Sequence, residues 1–299
     1  MYTELLEGAY DLHVHLGPDV SERKLDDLEM AERIQKIGMK GFGIKSHYFC
    51  TAARAKLVKK IYPNLNPVGA ITLNQLVGGV SPLAVEMAAR DGAKLVWMPT
   101  FDAKNEQEFF LKKDKYDKLP YWAQLQFELK EQGITQPHSS ISILDENGKL
   151  KKESLDVLDL ISKHQLILAT GHLSKREIFA LVTAARDKNV KKIIITHPTF
   201  SSVGLSKEEQ KELAELGAYL EHCFALVKPR FGIDWDELYE QIRYVGPDHC
   251  ILSTDTGQPY NPYPDEGLQT FVSNLLNNGF TKEQIKRMSV ENTTLLVEG

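Results

Sequence analysis

Cysteine is scarce: Cys50, Cys223 and Cys250 are the three in 299 residues, an odd set with no C-x-x-C spacing. That excludes a disulfide framework and leaves reduced, mostly buried thiols as the expectation. Long apolar runs are also missing, since no stretch approaches the ~20 residues needed to cross a bilayer. The opening MYTELLEGAYDLHVH has no basic segment followed by an apolar one, so no signal peptide is expected. Charge of one sign is not in excess either. With 36 basic and 41 acidic residues and a net charge of -5, there is no general field to draw in nucleic acid or anionic lipid. Glycine and proline stop at 20 and 13, while 42% of residues are hydrophobic and 26% charged. That composition excludes a disordered, collagen-like or low-complexity chain. No G-x-S-x-G elbow, P-loop or G-x-G-x-x-G appears, which leaves serine-hydrolase, NTPase and dinucleotide readings unsupported. The expectation is a soluble cytoplasmic protein acting on a small molecule, with no membrane or nucleic-acid partner.

What is present is a rhythm. Short apolar, β-branched runs recur at 9–15, 41–47, 66–73, 93–100, 165–172, 191–198, 218–224 and 250–256. Near-continuous runs of this length read as strands buried on both faces, hence a parallel sheet with helices outside it. Between them lie helix signals. Ser174 with Glu177, Ser206 with Glu209 and Thr281 with Gln284 fit the capping box, Ser81-Pro82 an N-cap with Pro at the first helical position, and Gly217 a helix stop. Eight βα units in one chain predict a (β/α)8 barrel, 1–299, as a single domain. The interval after strand four is too long for one unit, so 101–164 reads as an insertion. It holds Phe109, Phe110, Tyr116, Tyr121, Trp122 and Phe127, then a hairpin signal at Asn147-Gly148. A packing elaboration and an active-site lid are both compatible with it.

Histidine placement carries the chemistry. Of nine histidines, His13, His15, His47, His172, His197 and His222 fall within three residues of an expected strand end. The C-terminal strand ends are the catalytic face of such a barrel, and random placement would put roughly one there or fewer. His138, His164 and His249 read as structural. His13 and His15 are two apart on a strand and share a face, which supplies half of a metal site. Imidazole ligands suit Zn2+ first, with Mn2+, Fe2+, Ni2+ or Co2+ as alternatives. Asp255, at the end of strand eight, would be a neighbour of strand one, and a buried carboxylate must be paired, metal-bound or protonated. In GIKSH, Lys45 and His47 share a face, and a buried lysine needs a carboxylate, carboxylation or a bound anion. Only one of Glu221 and His222 can face inward, where it would touch substrate or metal. Arg230 could clamp a carboxylate or phosphate of the substrate. Gly78-Gly79 before Ser81 reads as a tight loop more than as an anion site.

DLHVHLGP, the GH of strand five, the THP of strand six and STDTG of strand eight resemble, in that order, the amidohydrolase superfamily of metal-dependent hydrolases. The resemblance spans all eight units. It implies that His13 and His15 hold the more buried metal, and that Asp255 is a shared ligand that takes a proton from the attacking water. His172 and His197 would bind a second metal, or divide between metal and substrate. Binuclear members usually carry a bridging lysine or glutamate at the end of strand four, whereas this strand ends Trp97-Met98-Pro99-Thr100. Asp102, Lys45 and Glu221 are the candidates to replace it. The expected reaction is metal-assisted hydrolysis of an amide, lactone or other ester, with catalytic roles for Asp255, Lys45 and His197. Substrate contacts are expected from His47, Glu221, His222 and Arg230. The IxxH ending of strand two also resembles the PHP phosphoesterases, although Asp255-Thr256-Gly257 lacks their final histidine. Deamination, decarboxylation and ligand binding without turnover are the other readings compatible with these ligands. The helix faces of such barrels often associate, which leaves a homo-oligomer open.

Overall fold

The computed structural model describes residues 2–111, 124–125, 128–129, 131–134, 140–227 and 233–299. Tyr116, Tyr121, Trp122, Phe127, His138 and Arg230 therefore lie outside the described residues. Eight parallel strands pair in chain order: β1 (Tyr10–His15), β2 (Gly41–Lys45), β3 (Val68–Thr72), β4 (Leu95–Trp97), β5 (Ile167–Ala169), β6 (Ile193–Ile195), β7 (Tyr219–Cys223) and β8 (Cys250–Ser253). The sheet curls until β8 meets β1, where His15 N–H donates to Thr256 O at 2.8 Å and Asp255 N–H to His13 O at 2.8 Å. All eight strands coincide with the apolar runs of the sequence. The result is the (β/α)8 architecture.

The apolar runs bury two faces because two cores need them. Tyr10 and Leu12, Val68 and Ala70, Leu95 and Trp97 are i, i+2 pairs that fill the barrel interior with Ile167, Ala169, Ile194 and Ile251. The alternate positions, among them Phe42, Ile44, Ile71, Val96, Leu168, Ile195 and Leu252, pack outward against the helices. Side chains of successive strand residues point to opposite faces, so one run serves both layers. Each fully buried Leu, Ile or Val contributes ~1.5–3 kcal/mol.

The helices start where the caps say. Ser174, Ser206 and Thr281 each form a reciprocal capping box, and Ser81 Oγ caps a helix that begins at Pro82. A fifth signal, Asp26 with Glu29, caps the helix Asp27–Lys36 in the same way. Beyond β4, the helix Lys104–Leu111 starts the long interval and the helix Lys152–Lys163 ends it, the latter leading into β5. Asn147-Gly148 does turn the chain, with Gly148 N–H donating to Asp145 O at 3.0 Å, but only one antiparallel bridge, Leu144 to Leu150, follows. No helix among the described residues is long and apolar enough to cross a membrane.

One irregularity decides where the site sits. Between β1 and β2 the register runs Asp11 to Phe42 and then Val14 to Ile44, so β1 carries one extra residue. Such a bulge re-aims the following side chains. Leu12 fills the barrel interior, and His13, the next residue, also packs inside it, 4.6 Å from the Trp97 ring. The partner position is Gly43, where a Cβ would lie 2.3 Å from Leu12 O. Only glycine lets the bulge close against β2.

Candidate metal centre

Three strand-end side chains meet at the barrel mouth. Asp255 Oδ1 lies 3.1 Å from His13 Nε2 and 3.0 Å from His15 Nε2. The turn after β8 is shaped for this: Asp255 has φ 51°, which aspartate tolerates better than most residues, and a Cβ at Gly257 would fall 1.7 Å from His15 O. His197 is left-handed too, with φ 24°. Two of the four non-glycine residues with positive φ among the described residues thus belong to this cluster, and strain of ~1–3 kcal/mol each persists only where the surroundings over-determine it.

Glu221 of β7 lies beneath, with Oε2 3.1 Å from His13 Nδ1 and Oε1 accepting from Ser253 Oγ at 2.9 Å. With the Nδ1 proton directed at Glu221, His13 Nε2 faces the Asp255 oxygen lone pair to lone pair, unless a proton or cation stands between them. Lys45 of β2 supplies positive charge at that point: its Nζ is 2.7 Å from His13 Nε2 and 4.0 Å above the Trp97 ring. Burial alone would raise the Asp255 carboxyl, but the neighbouring His13 and His15 hold it well below the usual carboxylate range. It is ionised at neutral pH. Burial lowers Lys45, and it holds His15, His47, His172 and His197 well below the ordinary histidine value. Neutral imidazole is the form that ligates a metal.

A second group adjoins the first. His172 follows β5 and His197 follows β6, with ring centroids 4.9 Å apart, and His197 is 5.9 Å from His13. The buried Nδ1 atoms of His15, His172 and His197 have no hydrogen-bond partner. Beside His172 stands Glu106, fully buried, with Oε1 3.3 Å from His172 Nδ1. Neither of its carboxylate oxygens makes a hydrogen bond of normal geometry, and burial pushes its pKa up to about 8, against a smaller opposing effect of the Ser202 hydroxyl. Donors that converge, a carboxylate between two imidazole nitrogens and buried polar atoms left over are what a divalent cation would satisfy. The residues present fit one: among the described residues the ligand atoms of His13, His15 and Asp255 converge, as do those of His13, Glu221 and Cys223, and only the first group includes side chains that line the cavity.

These side chains open into a cavity of about 540 Å³, lined by His15, Lys45, His47, His172, His197 and Asp255 among others. His47 stacks on His15 at 4.9 Å and shares a hydrogen bond with Thr100 Oγ1 at 2.9 Å. Neither Glu221 nor His222 lines the cavity. Glu221 faces inward but supports His13 from below. His222, next along the strand, points the other way and is buried with both ring nitrogens unpartnered. Asp102 accepts a hydrogen bond from Gln75 N–H at 2.8 Å and is likewise absent from the lining. His164 pairs with Glu86 at 2.7 Å and His249 packs on Tyr219, away from the site as expected. Sequence reasoning missed Glu106, Arg23 and the role of Trp97 as a floor. A signal for Glu106 existed: Phe109 and Phe110 stand three and four residues after it, on one helix face, and all three line the cavity.

The model of a protein family described as "Family of unknown function (DUF6282)" matches residues 8–221. The chain belongs to this family. The match ends at Glu221, so β8 and Asp255 lie beyond it. No curated protein matches the sequence. Solved structures are similar in fold. An amidohydrolase from Pseudomonas aeruginosa has a TM-score of 0.62 at 11% identity, covering 99% of this chain and 97% of that one. The probable dipeptidase PvdM, also from Pseudomonas aeruginosa, reaches 0.66 at 12%, with 99% and 96% covered. The organophosphorus hydrolase of Deinococcus radiodurans gives 0.55 at 13%, with 97% and 92%. At these identities the likeness is one of fold: the same kind of (β/α)8 barrel, here with the strand-end residues described above at its mouth.

Proposed function

We propose that the chain is a metal-dependent hydrolase that cleaves an amide, lactone or other ester bond of a small molecule. The observation that carries this is Asp255 Oδ1 set within 3.1 Å of both His13 Nε2 and His15 Nε2 on the wall of an open cavity. A divalent cation, Zn2+ first, held by His13, His15 and Asp255 would supply Lewis acidity toward a carbonyl oxygen and toward water. His172 and His197, whose rings lie 4.9 Å apart, would bind a second one or divide between metal and substrate. Glu221 orients His13 through Nδ1, as a partner behind a ligating histidine does. Asp255, ionised and facing the cavity, takes the proton of the attacking water and returns it to the leaving oxygen or nitrogen. Lys45 adds positive charge beside developing negative charge. His197, neutral because buried, offers a hydrogen bond to the substrate. The similarity in fold to a probable dipeptidase and to an organophosphorus hydrolase supports the reaction class.

The test is metal content per chain by elemental analysis, with ester and lactone hydrolysis, in the wild type and in the double variant His13→Ala/His15→Ala. The expected result is at least one equivalent and measurable turnover, both lost in the variant. A wild type that takes up no Zn2+, Mn2+ or Ni2+ on reconstitution would sink the proposal.

A further inference from the structure

One cationic side chain of the cavity is held in a way the hydrolytic centre does not require. Arg23, between β1 and the helix Asp27–Lys36, has only 7% of its side chain exposed. Its Nε and Nη2 donate to Asp19 Oδ2 at 2.9 and 2.6 Å. Asp19 is itself fixed, its side chain sealed from solvent, with Oδ1 accepting from Val20 N–H at 2.9 Å and Ser46 Oγ at 3.0 Å. A guanidinium presents its N–H donors in a rigid plane, and here one edge of the plane is committed to Asp19. Among the described residues Nη1 makes no hydrogen bond. Arg23 lines the same cavity as His15 and Asp255. A pre-oriented donor therefore stands at the cavity with no acceptor among the described residues.

The rest of the wall is aromatic. Tyr48 follows β2, Phe109 and Phe110 follow β4, Phe200 follows β6 and Tyr260 follows β8, so four of the loops contribute rings to the lining. Phe200 brings this surface to within 5.0 Å of the His197 ring. Flat apolar faces from several sides suit a flat apolar body. We propose that Arg23 is the anion-binding end of the substrate site, and that the substrate is an aryl or otherwise planar unsaturated molecule carrying a carboxylate, which pairs with Nη1 while its ester, lactone or amide bond lies at His13, His15 and Asp255. The inference rests on the hydrolase reading above. A carboxylate is favoured over a phosphate dianion because Arg23 offers one free Nη1 and Ser21 Oγ beside it is shared with the Tyr48 hydroxyl at 3.2 Å. Glu22 and Asp255 in the same lining would oppose a second negative charge.

The test is calorimetric binding of three probes of one shape, benzoate, acetophenone and benzylammonium, to the metal-loaded and the metal-stripped protein. The wild type is expected to bind benzoate at least tenfold tighter than acetophenone in both forms, and benzylammonium most weakly. Arg23→Gln should bring benzoate to within about threefold of acetophenone while leaving acetophenone unchanged, and Arg23→Lys should keep part of the preference. Equal binding of benzoate and acetophenone, a preference that survives Arg23→Gln, or no benzoate binding at 10 mM would each overturn the assignment. If Arg23→Gln does not fold, the charge series on the wild type decides the anion preference, and Arg23→Lys decides whether the guanidinium carries it. The two proposals fail separately. Arg23-dependent benzoate binding without metal uptake or turnover would sink the hydrolase and leave the site. Metal uptake and turnover with no charge preference would do the reverse.

Discussion

His222 is the place where burial alone sets a measurable pH dependence. It is 1% exposed, neither ring nitrogen has a partner, and burial brings its pKa down to about 3. A free histidine takes up its proton near pH 6.5, so between 6.5 and about 3 the unfolded chain binds a proton that the folded chain refuses. Stability therefore falls as pH falls through that window, by on the order of 2 kcal/mol between pH 7 and pH 5 for this one group. His222→Leu removes the titration and keeps a similar volume. It also removes two unsatisfied polar atoms, so at pH 7 the variant should be more stable by ~1–3 kcal/mol, roughly 2–5 °C in Tm for a chain of this size. The assay is urea unfolding of both proteins at pH 7 and pH 5. The wild type should lose about 2 kcal/mol more than the variant over that interval. Parallel losses would refute the reasoning. Loss of turnover in a folded His222→Leu would show instead that the imidazole reaches substrate, against its placement on the outward face.

Two further outcomes follow from the same kind of accounting. Gly43→Ala sets a Cβ 2.3 Å from Leu12 O, so β1 and β2 must part; a cost of ~3 kcal/mol or more, read by thermal melting, should come with reduced metal uptake because the bulge that aims His13 is lost. For Glu106→Gln in the metal-free protein, the folded wild type keeps a carboxyl proton up to about pH 8 that the unfolded chain releases near 4.3. Wild-type stability thus falls as pH rises across that range, and the variant should melt above the wild type at pH 8 while matching it at pH 5; identical pH profiles would place Glu106 in a wetter setting than its full burial indicates.

The fold was readable because each strand's apolar run is long enough to serve an interior and an exterior layer, and because caps depend on short local spacings. Ser174 with Glu177 and Thr281 with Gln284 need no knowledge of the rest of the chain. Asp26 with Glu29 caps its helix on the same spacing, with aspartate in place of the serine or threonine of the usual pattern. The interval after β4 was readable only as an excess of length, since the packing of Glu106 against His172 depends on where the helix Lys104–Leu111 lies over the barrel mouth.

The site was readable only as far as regular geometry reaches. Period-two alternation put His13 and His15 on one face, and the structure keeps them there. The same rule would set Leu12 on the opposite face, yet Leu12 and His13 are both inside, because the bulge slips the phase by one residue. What permits that slip is Gly43 on the neighbouring strand, a residue with no chemistry of its own. Asp255 and His197 likewise reach the cluster through left-handed backbone that follows the strand proper. Arg23 is aimed by Asp19, which is in turn pinned by Ser46 from the end of β2. His13, His197 and Asp255 are nominated by the sequence and Arg23 is not, but in each case the side chain's direction is set by irregular backbone or by a partner on another element. Sequence spacing can nominate ligands, and it loses them where an irregular backbone does the aiming.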